Sequence, residues 1–272
     1  MASRLAMRVI VIAYLVLLVA WPVALVVRTT FAHGLTALTD AFADPSVLAA
    51  LRLTLVVSAT AVVVNTVFGV GISLLLVRYR FPGKRALSAL IDVPLAISPV
   101  VVGLSLLLVY GGRDGWLGTT LEDHGFRVIF ATPGIILATA FVSLPLVIRE
   151  VVPVLEEVGI DQEQAGRSLG ANAVQTFRRI TLPTIRWALV YGVVLSLARS
   201  LGEFGAVRVV SGNIERRTQT ATLLVNQRYE DFQRPSAYAV SFVLAAVSVV
   251  CIVIVSFLRP DTSQPVSGRR SS

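Results

Sequence analysis

From Leu53 to Val77 the chain carries no charged side chain, and this run narrows the fold more than any other feature. At a rise of about 1.5 Å per residue, a helix of this length covers the roughly 30 Å hydrocarbon core of a bilayer. Its polar members are mainly Asn65 and small hydroxyl residues. Asn65 suits a helix-to-helix hydrogen bond, with pathway lining as the alternative. Further apolar runs lie at about Val9–Val27, Leu87–Val109, Ile135–Val152, Ala188–Val210 and Ala237–Leu258. An all-α integral membrane protein with six spans is the expected fold.

Composition agrees. Of 272 residues, 55% are hydrophobic and 15% charged, and mean hydropathy is +0.78. A soluble domain cannot hide that much apolar surface, so membrane lipid must cover part of it. The net charge of +8 would suggest nucleic acid in a soluble protein. Here it marks the cytoplasmic face, and no nucleic-acid partner is expected. The single cysteine, Cys251, lies in an apolar run, which excludes a disulfide framework and reads as a buried spectator thiol. Arg4 and Arg8 ahead of Val9–Val27 also fit a signal peptide. The run is long enough to span, however, and other spans follow, so it is expected to be retained. The chain then divides into residues 1–52 (first span and first external loop), 53–258 (five-span core) and 259–272 (a polar, disordered cytoplasmic tail).

The longest polar interval between apolar runs is Glu156–Pro183. Asp161 with Gln164 predicts a capping-box variant that opens a short helix ending at Gly170, and Asn172 with Gln175 predicts a second helix ending before Pro183. Ala165 and Leu169 share one face of the first, and Val174 and Phe177 one face of the second. Helices this short need a surface to dock on. With both termini in the cytoplasm, the inner side holds 14 Lys/Arg, counting Arg149 near the end of its span, and the outer side 9, counting Arg208 likewise. That bias puts this interval on the cytoplasmic side. Five of the outer residues weaken the bias: Arg208 at the end of the fifth span and Arg216, Arg217, Arg228 and Arg234 in the loop after it.

The spacing Glu163-x-Ala165, Gly170, Phe177, Ile180, Leu182-Pro183 resembles the EAA loop of bacterial ABC importer permeases, with Gln164 in place of an alanine. The resemblance implies a coupling loop between spans 4 and 5, seated on a separate ATPase through Glu163, Ala165, Leu169, Gly170, Phe177, Leu182 and Pro183. An amphipathic loop lying on the membrane is the plainer reading.

Three features inside the spans are candidates for a translocation path or gate. Pro94 and Pro99 flank Ser98, and a helix restarting at Pro99 would turn free N–H groups and its positive end toward an anion. A simple kink is the alternative. Arg199 and Glu203, four apart, are expected to neutralise each other, with gate lining second. Gly202, Gly205 and Ala206 allow close helix approach. Outside, Arg216, Arg217 and Arg228 suit a partner protein or anion attraction, or simple solvation. His33 and His124 have no second ligand nearby, and no metal is assigned.

DVPLAISPVVVGLSLLLVYG at 92–111, TFRRITLPTIRWALVYGVVL at 176–195 and ARSLGEFGAVRVVSGNI at 198–214 resemble the CysW-type sulfate/thiosulfate permease family over about residues 50–258. The GEFGA segment is shared with molybdate and tungstate permeases, often built on two identical chains, and these remain the nearest alternative. The resemblance implies alternating access in the bacterial inner membrane with three kinds of partner. These are a cytoplasmic ATPase dimer, a homologous but non-identical second permease, and an extracytoplasmic anion-binding protein. ATP and Mg belong to the ATPase. The only lysine, Lys84 in FPGKRA, lacks the GxxxxGK[ST] phosphate loop, so this chain is read as a transport subunit with no catalytic residues and no cofactor of its own. An ion-gradient-driven carrier would show paired interrupted spans in two halves, and no such repeat is present. A membrane-embedded enzyme is disfavoured because no metal cluster or nucleophile–base set lies in the spans.

Overall fold

Asp44 starts the longest helix. Its side chain accepts a hydrogen bond from the Ser46 amide at 2.8 Å, Pro45 occupies the first turn, and the helix then runs unbroken from Pro45 to Arg78. The computed structural model describes residues 2–32, 34–112 and 115–258, with side chains from residue 4 to residue 254. The described elements are all helical. They are α1 (Ala2–Leu15), α2 (Trp21–Thr30), α3 (Thr36–Ala43), α4 (Pro45–Arg78), α5 (Lys84–Ala96), α6 (Pro99–Tyr110), α7 (Gly118–Asp123), α8 (Thr132–Val158), α9 (Asp161–Ser168), α10 (Ala173–Thr176), α11 (Leu182–Leu201), α12 (Gly205–Val210), α13 (Ala221–Glu230) and α14 (Arg234–Leu258). Single π turns at Val16–Ala20 and Phe177–Thr181 join α1 to α2 and α10 to α11.

The core is the three-helix seam of α4, α8 and α11. Val70, Val147, Val151, Leu155 and Ile185 interlock there. Gly69 lets α4 approach α8 closely, because a Cβ at that position would sit 2.9 Å from Val147 Cγ1. Asn65 donates to Ser143 Oγ at 2.8 Å across the seam, the helix-to-helix bond expected of it. Such a bond inside a membrane contributes about 0.6 kcal/mol on average. Packing therefore dominates this seam and the hydrogen bond sets its register.

Among the described residues, five continuous helical stretches are long and apolar enough to cross a membrane: Arg4–Thr30, Pro45–Arg78, Thr132–Val158, Ala173–Leu201 and Arg234–Ile254. The expected third span is instead the pair α5–α6, bent by 114°. The break falls at Ile97–Ser98, ahead of Pro99, which has no N–H to continue the α5 ladder. The expected fifth span ends at Leu201, before its apolar pattern does, and the chain resumes as α12. The division expected at residues 52 and 53 falls inside α4. The first span stands apart from its own chain, with every side chain from Arg4 to Leu25 exposed. Only its far end is anchored: Thr30 Oγ1 donates to the Tyr238 carbonyl at 3.2 Å, and Phe31 meets Phe242 edge-on.

At that same end of the bundle Arg228 pairs with Asp44, so it is not the freely presented arginine expected of the outer loop; Arg216 and Arg217 are exposed. Burial pushes the Asp44 carboxyl up, but the Ser46 amide and the Arg228 guanidinium outweigh it and hold the carboxyl below its usual range. Cys251 is half-buried rather than fully buried. His124 contacts the Thr120 carbonyl through Nδ1 at 2.7 Å. His33 and the tail 259–272 lie outside the described residues.

Candidate functional site

The segment after α8 folds into the expected helix, turn and helix, with three differences in detail. The first helix, α9, has Ile160 rather than Asp161 at its N-cap and no side-chain cap. The Asp161–Gln164 capping box is therefore absent, because Asp161 already lies inside the first turn. The second capping box forms as expected: Gln175 N donates to Asn172 Oδ1 at 2.9 Å, and Asn172 N donates to Gln175 Oε1 at 3.0 Å. Between the helices Gly170 adopts φ +87°, which L side chains resist. Its N–H reaches the Arg167 carbonyl at 2.9 Å and the Ala171 N–H reaches Gly166 at 3.0 Å, closing α9 with a Schellman turn.

The second helix does not stop before Pro183. It runs on as one stretch from Ala173 to Leu201, about 43 Å long. Pro183 has no N–H for the Arg179 carbonyl, and the π turn ahead of it widens the ladder so that Leu182 N bonds Phe177 O. Phe177 packs beside Val154 and Ile185 in the core. Leu182 is half-buried and Pro183 exposed.

Glu163 has the most specific surroundings in this segment. It is buried at 8% exposure. Its Oε1 accepts from Arg78 Nη2 at 3.1 Å, from Arg78 Nε at 3.3 Å and from Thr181 Oγ1 at 3.0 Å. Arg78 Nη1 also donates to the Leu155 carbonyl at 3.0 Å. This one carboxylate ties together the end of α4, the end of α8, α9 and the π turn. Glu163 thus faces inward, away from the surface that Ala165 and Leu169 share. Leu169 on that surface is 90% exposed, and Val174 on α10 is 66% exposed, so each short helix of the latched segment presents an apolar side chain outward.

The second set of candidate residues gathers where two helices break. Pro94 is buried, Pro99 half-buried and Ser98 exposed at the α5–α6 corner. Gly205 brings α12 against this corner, since a Cβ on Gly205 would lie 3.0 Å from Pro99 Cβ. Arg199 and Glu203 form the expected ion pair, with Nη1 to Oε2 at 2.8 Å. They do so across a helix end rather than along one face, because α11 stops at Leu201. Glu203 also accepts the Ala206 amide on Oε1 at 3.0 Å, which holds the start of α12. Its side chain is 2% exposed while that of Arg199 is 39% exposed, so the cation is the partner turned outward. A groove of about 500 Å³ beside this break, between α11, α13 and α14, is walled mainly by apolar residues such as Leu201, Phe204, Val225 and Leu244. It suits a hydrocarbon chain or a helix better than a hydrated anion. The described residues contain no group of three or more His, Cys, Asp or Glu placed to hold a metal ion.

Arg78, Thr181 and a further ion pair, Arg149–Asp92, are missing from the sequence-derived candidates. Their partners lie 18 to 85 residues away, so no local spacing announces them. The one available signal is that Arg78 directly follows the uncharged run Leu53–Val77.

Spanning helices, a latched polar segment at one end and two helices broken within the bundle define a multi-pass, all-helical membrane protein. Residues 65–263 match the binding-protein-dependent transport system inner membrane component family, and the chain belongs to it. It is 46% identical over 251 residues to the sulfate transport system permease protein CysW of Synechococcus elongatus, covering 92% of this chain and 87% of that protein. It is 39% identical over 229 residues to the sulfate transport system permease protein CysT of Salmonella typhimurium, covering 84% of this chain and 82% of that one. A chain of a bacterial ABC transporter involved in import of the acidic polysaccharide alginate shares the fold. Its TM-score is 0.77 at 16% identity, over 95% of both chains.

Proposed function

We propose that this chain is the membrane-spanning permease subunit of an ATP-driven sulfate or thiosulfate importer. The 46% identity to a sulfate permease over most of both chains supports the substrate class. The observation that carries the mechanism is the latched segment continuous with a spanning helix. Leu169 and Val174 offer an apolar docking surface with Ala165 beside them, and Gly170 sets the turn between their helices. Glu163 and Phe177 hold that surface in shape from within, and Leu182 and Pro183 carry it into the span. A cytoplasmic ATPase dimer, which binds ATP and Mg, grips the segment. Because α10 and α11 form one rod, a tilt of about 5° about its middle shifts each end by about 2 Å. Closure of the ATPase thereby reaches the break at Gly202, where Arg199, Glu203, Ser98, Pro94 and Pro99 form the path or gate region.

Both termini lie in the cytoplasm and the membrane is the bacterial inner membrane. The exposed first span supports a second, homologous permease as its packing partner, giving a heterodimer of the CysW and CysT kind. An extracytoplasmic binding protein delivers the anion to the opposite face. Residues 1–44 provide the first span and the lead into α4, residues 45–258 the core, and residues 259–272 a cytoplasmic tail.

Uptake of labelled sulfate by the reconstituted complex tests this reading. ATP-dependent uptake that is competed by thiosulfate and spared by phosphate supports it. Preferential competition by molybdate moves the substrate to the tungstate and molybdate class. Uptake that survives ATP depletion overturns the coupling.

A further inference from the structure

Helices α5 and α8 meet where Ile91 and Ile148 pack with Leu76, backed by Leu87 and Val152. On the open side of that contact lies an ion pair. Arg149 Nε and Nη2 both donate to Asp92 Oδ1, at 3.1 and 3.0 Å. The two side chains are 57% and 50% exposed. Arg149 stands nine residues before the end of α8, about 13 Å along its axis. Leu90, Leu95, Ile97 and Phe141 are likewise exposed on α5, the corner and α8. Each charge placed at mid-membrane costs about 2.5–3.5 kcal/mol on insertion scales, so half-exposed charges on spanning helices favour a wet or protein-lined space over lipid. Asp92 also sits five residues before the α5–α6 break, and Ser98 is exposed at that break. Asp92 and the exposed corner residue Ser98 thus lie six residues apart along the chain.

The form of the pair matters. Two donors on one guanidinium edge converge on a single carboxylate oxygen, whereas that edge is spaced to bind two oxygens of one oxyanion. We infer that Arg149 handles the anion on the cytoplasmic part of the path, with Asp92 as its built-in competitor. A tetrahedral oxyanion takes the Nε–Nη2 edge from Asp92, and Asp92 takes it back as the anion leaves. The carboxylate keeps the site from trapping a dianion, which is what transit requires: favourable enough to enter, weak enough to leave. This inference rests on the oxyanion-import reading above.

The test uses the full complex of both permeases, ATPase and binding protein in proteoliposomes, reading labelled sulfate uptake and binding-protein-stimulated ATP hydrolysis in parallel. Wild-type uptake separates the two claims, since its absence removes the import reading and this inference with it. Given that uptake, Arg149→Lys keeps the charge but loses the forked edge. It should lower uptake about tenfold, the scale of one charge-assisted hydrogen bond, while the complex still co-purifies and hydrolyses ATP. Asp92→Asn should slow uptake and make it more sensitive to sulfate loaded inside the vesicles. The exchange Asp92→Arg/Arg149→Asp keeps a pair but moves the cation to α5, and uptake should stay low. Wild-type uptake by the lysine variant or by the exchanged pair would mean that the pair only braces α5 against α8, and the inference would be overturned.

Discussion

Glu163→Gln removes one charge and leaves the shape of the side chain unchanged, so it isolates what the latch contributes. Removing one member of a fully buried ion pair costs about 3–5 kcal/mol. Here the side chains of Arg78 and Glu163 retain 12% and 11% exposure. The glutamine can still accept from Thr181, and Arg78 keeps the Leu155 carbonyl. The loss should therefore approach that of a single charge-assisted hydrogen bond, about 2 kcal/mol. If α9 opens as a local unit, the amides of residues 161–176 should exchange with solvent about 30-fold faster, while those of the α4–α8–α11 seam hold their protection. Hydrogen exchange of the purified complex reads both regions in one sample. Arg78→Gln should act similarly, and the double variant should cost less than the two singles combined, by about 1–2 kcal/mol, as directly bonded groups do. Additive effects, or exchange in residues 161–176 that changes less than about threefold, would refute the latch.

Gly170→Val should abolish ATP-coupled uptake while the protein remains inserted. No atom stands within 4 Å of an added Cβ, so the penalty comes from φ +87° alone, about 1–2 kcal/mol; uptake and membrane fractionation of Gly170→Val beside Gly170→Asn check this, with the asparagine variant tolerated. Glu203→Gln should lower the yield of assembled complex, because Arg199 loses its counter-charge, and Arg199→Gln/Glu203→Gln should recover part of it; failure of the double variant to recover yield argues against the pairing. Asp44→Ala should cost about 1 kcal/mol as a lost N-cap, read as a lower melting temperature. Since the folded carboxyl titrates below its ordinary value of 3.8, its contribution is present above that value and disappears as pH falls through the lower, folded one. The stability gap between wild type and Asp44→Asn should therefore be flat from about pH 7 to 5 and close only below about 3.8.

The spans were legible because an uncharged run of bilayer length admits few other folds. The Asn172–Gln175 box was legible because both of its bonds are local, three residues apart. The corner at Pro99 was foreshadowed by its proline, but its 114° angle depends on α12 packing against it through Gly205. Two features were hidden by patterns that read equally well another way. Pro183 looked like a stop, and a π turn absorbed it. Residues 205–210, apolar except for Arg208, looked like the end of the fifth span, yet Glu203 turns its carboxylate to the Ala206 amide and starts a new helix. Arg78–Glu163 and Asp92–Arg149 could not be read at all, because contacts 85 and 57 residues apart exist only once the helices have packed.

Cross-linking from the exposed face of α9 in native membranes probes the whole account most directly. A thiol placed by Ala165→Cys or Leu169→Cys, with Cys251→Ser to remove the native one, should capture an ATP-hydrolysing protein and resist impermeant reagents added from outside. Capture of no such protein, or labelling from the exterior alone, would contradict the reading of this chain as the permease that an ATPase drives.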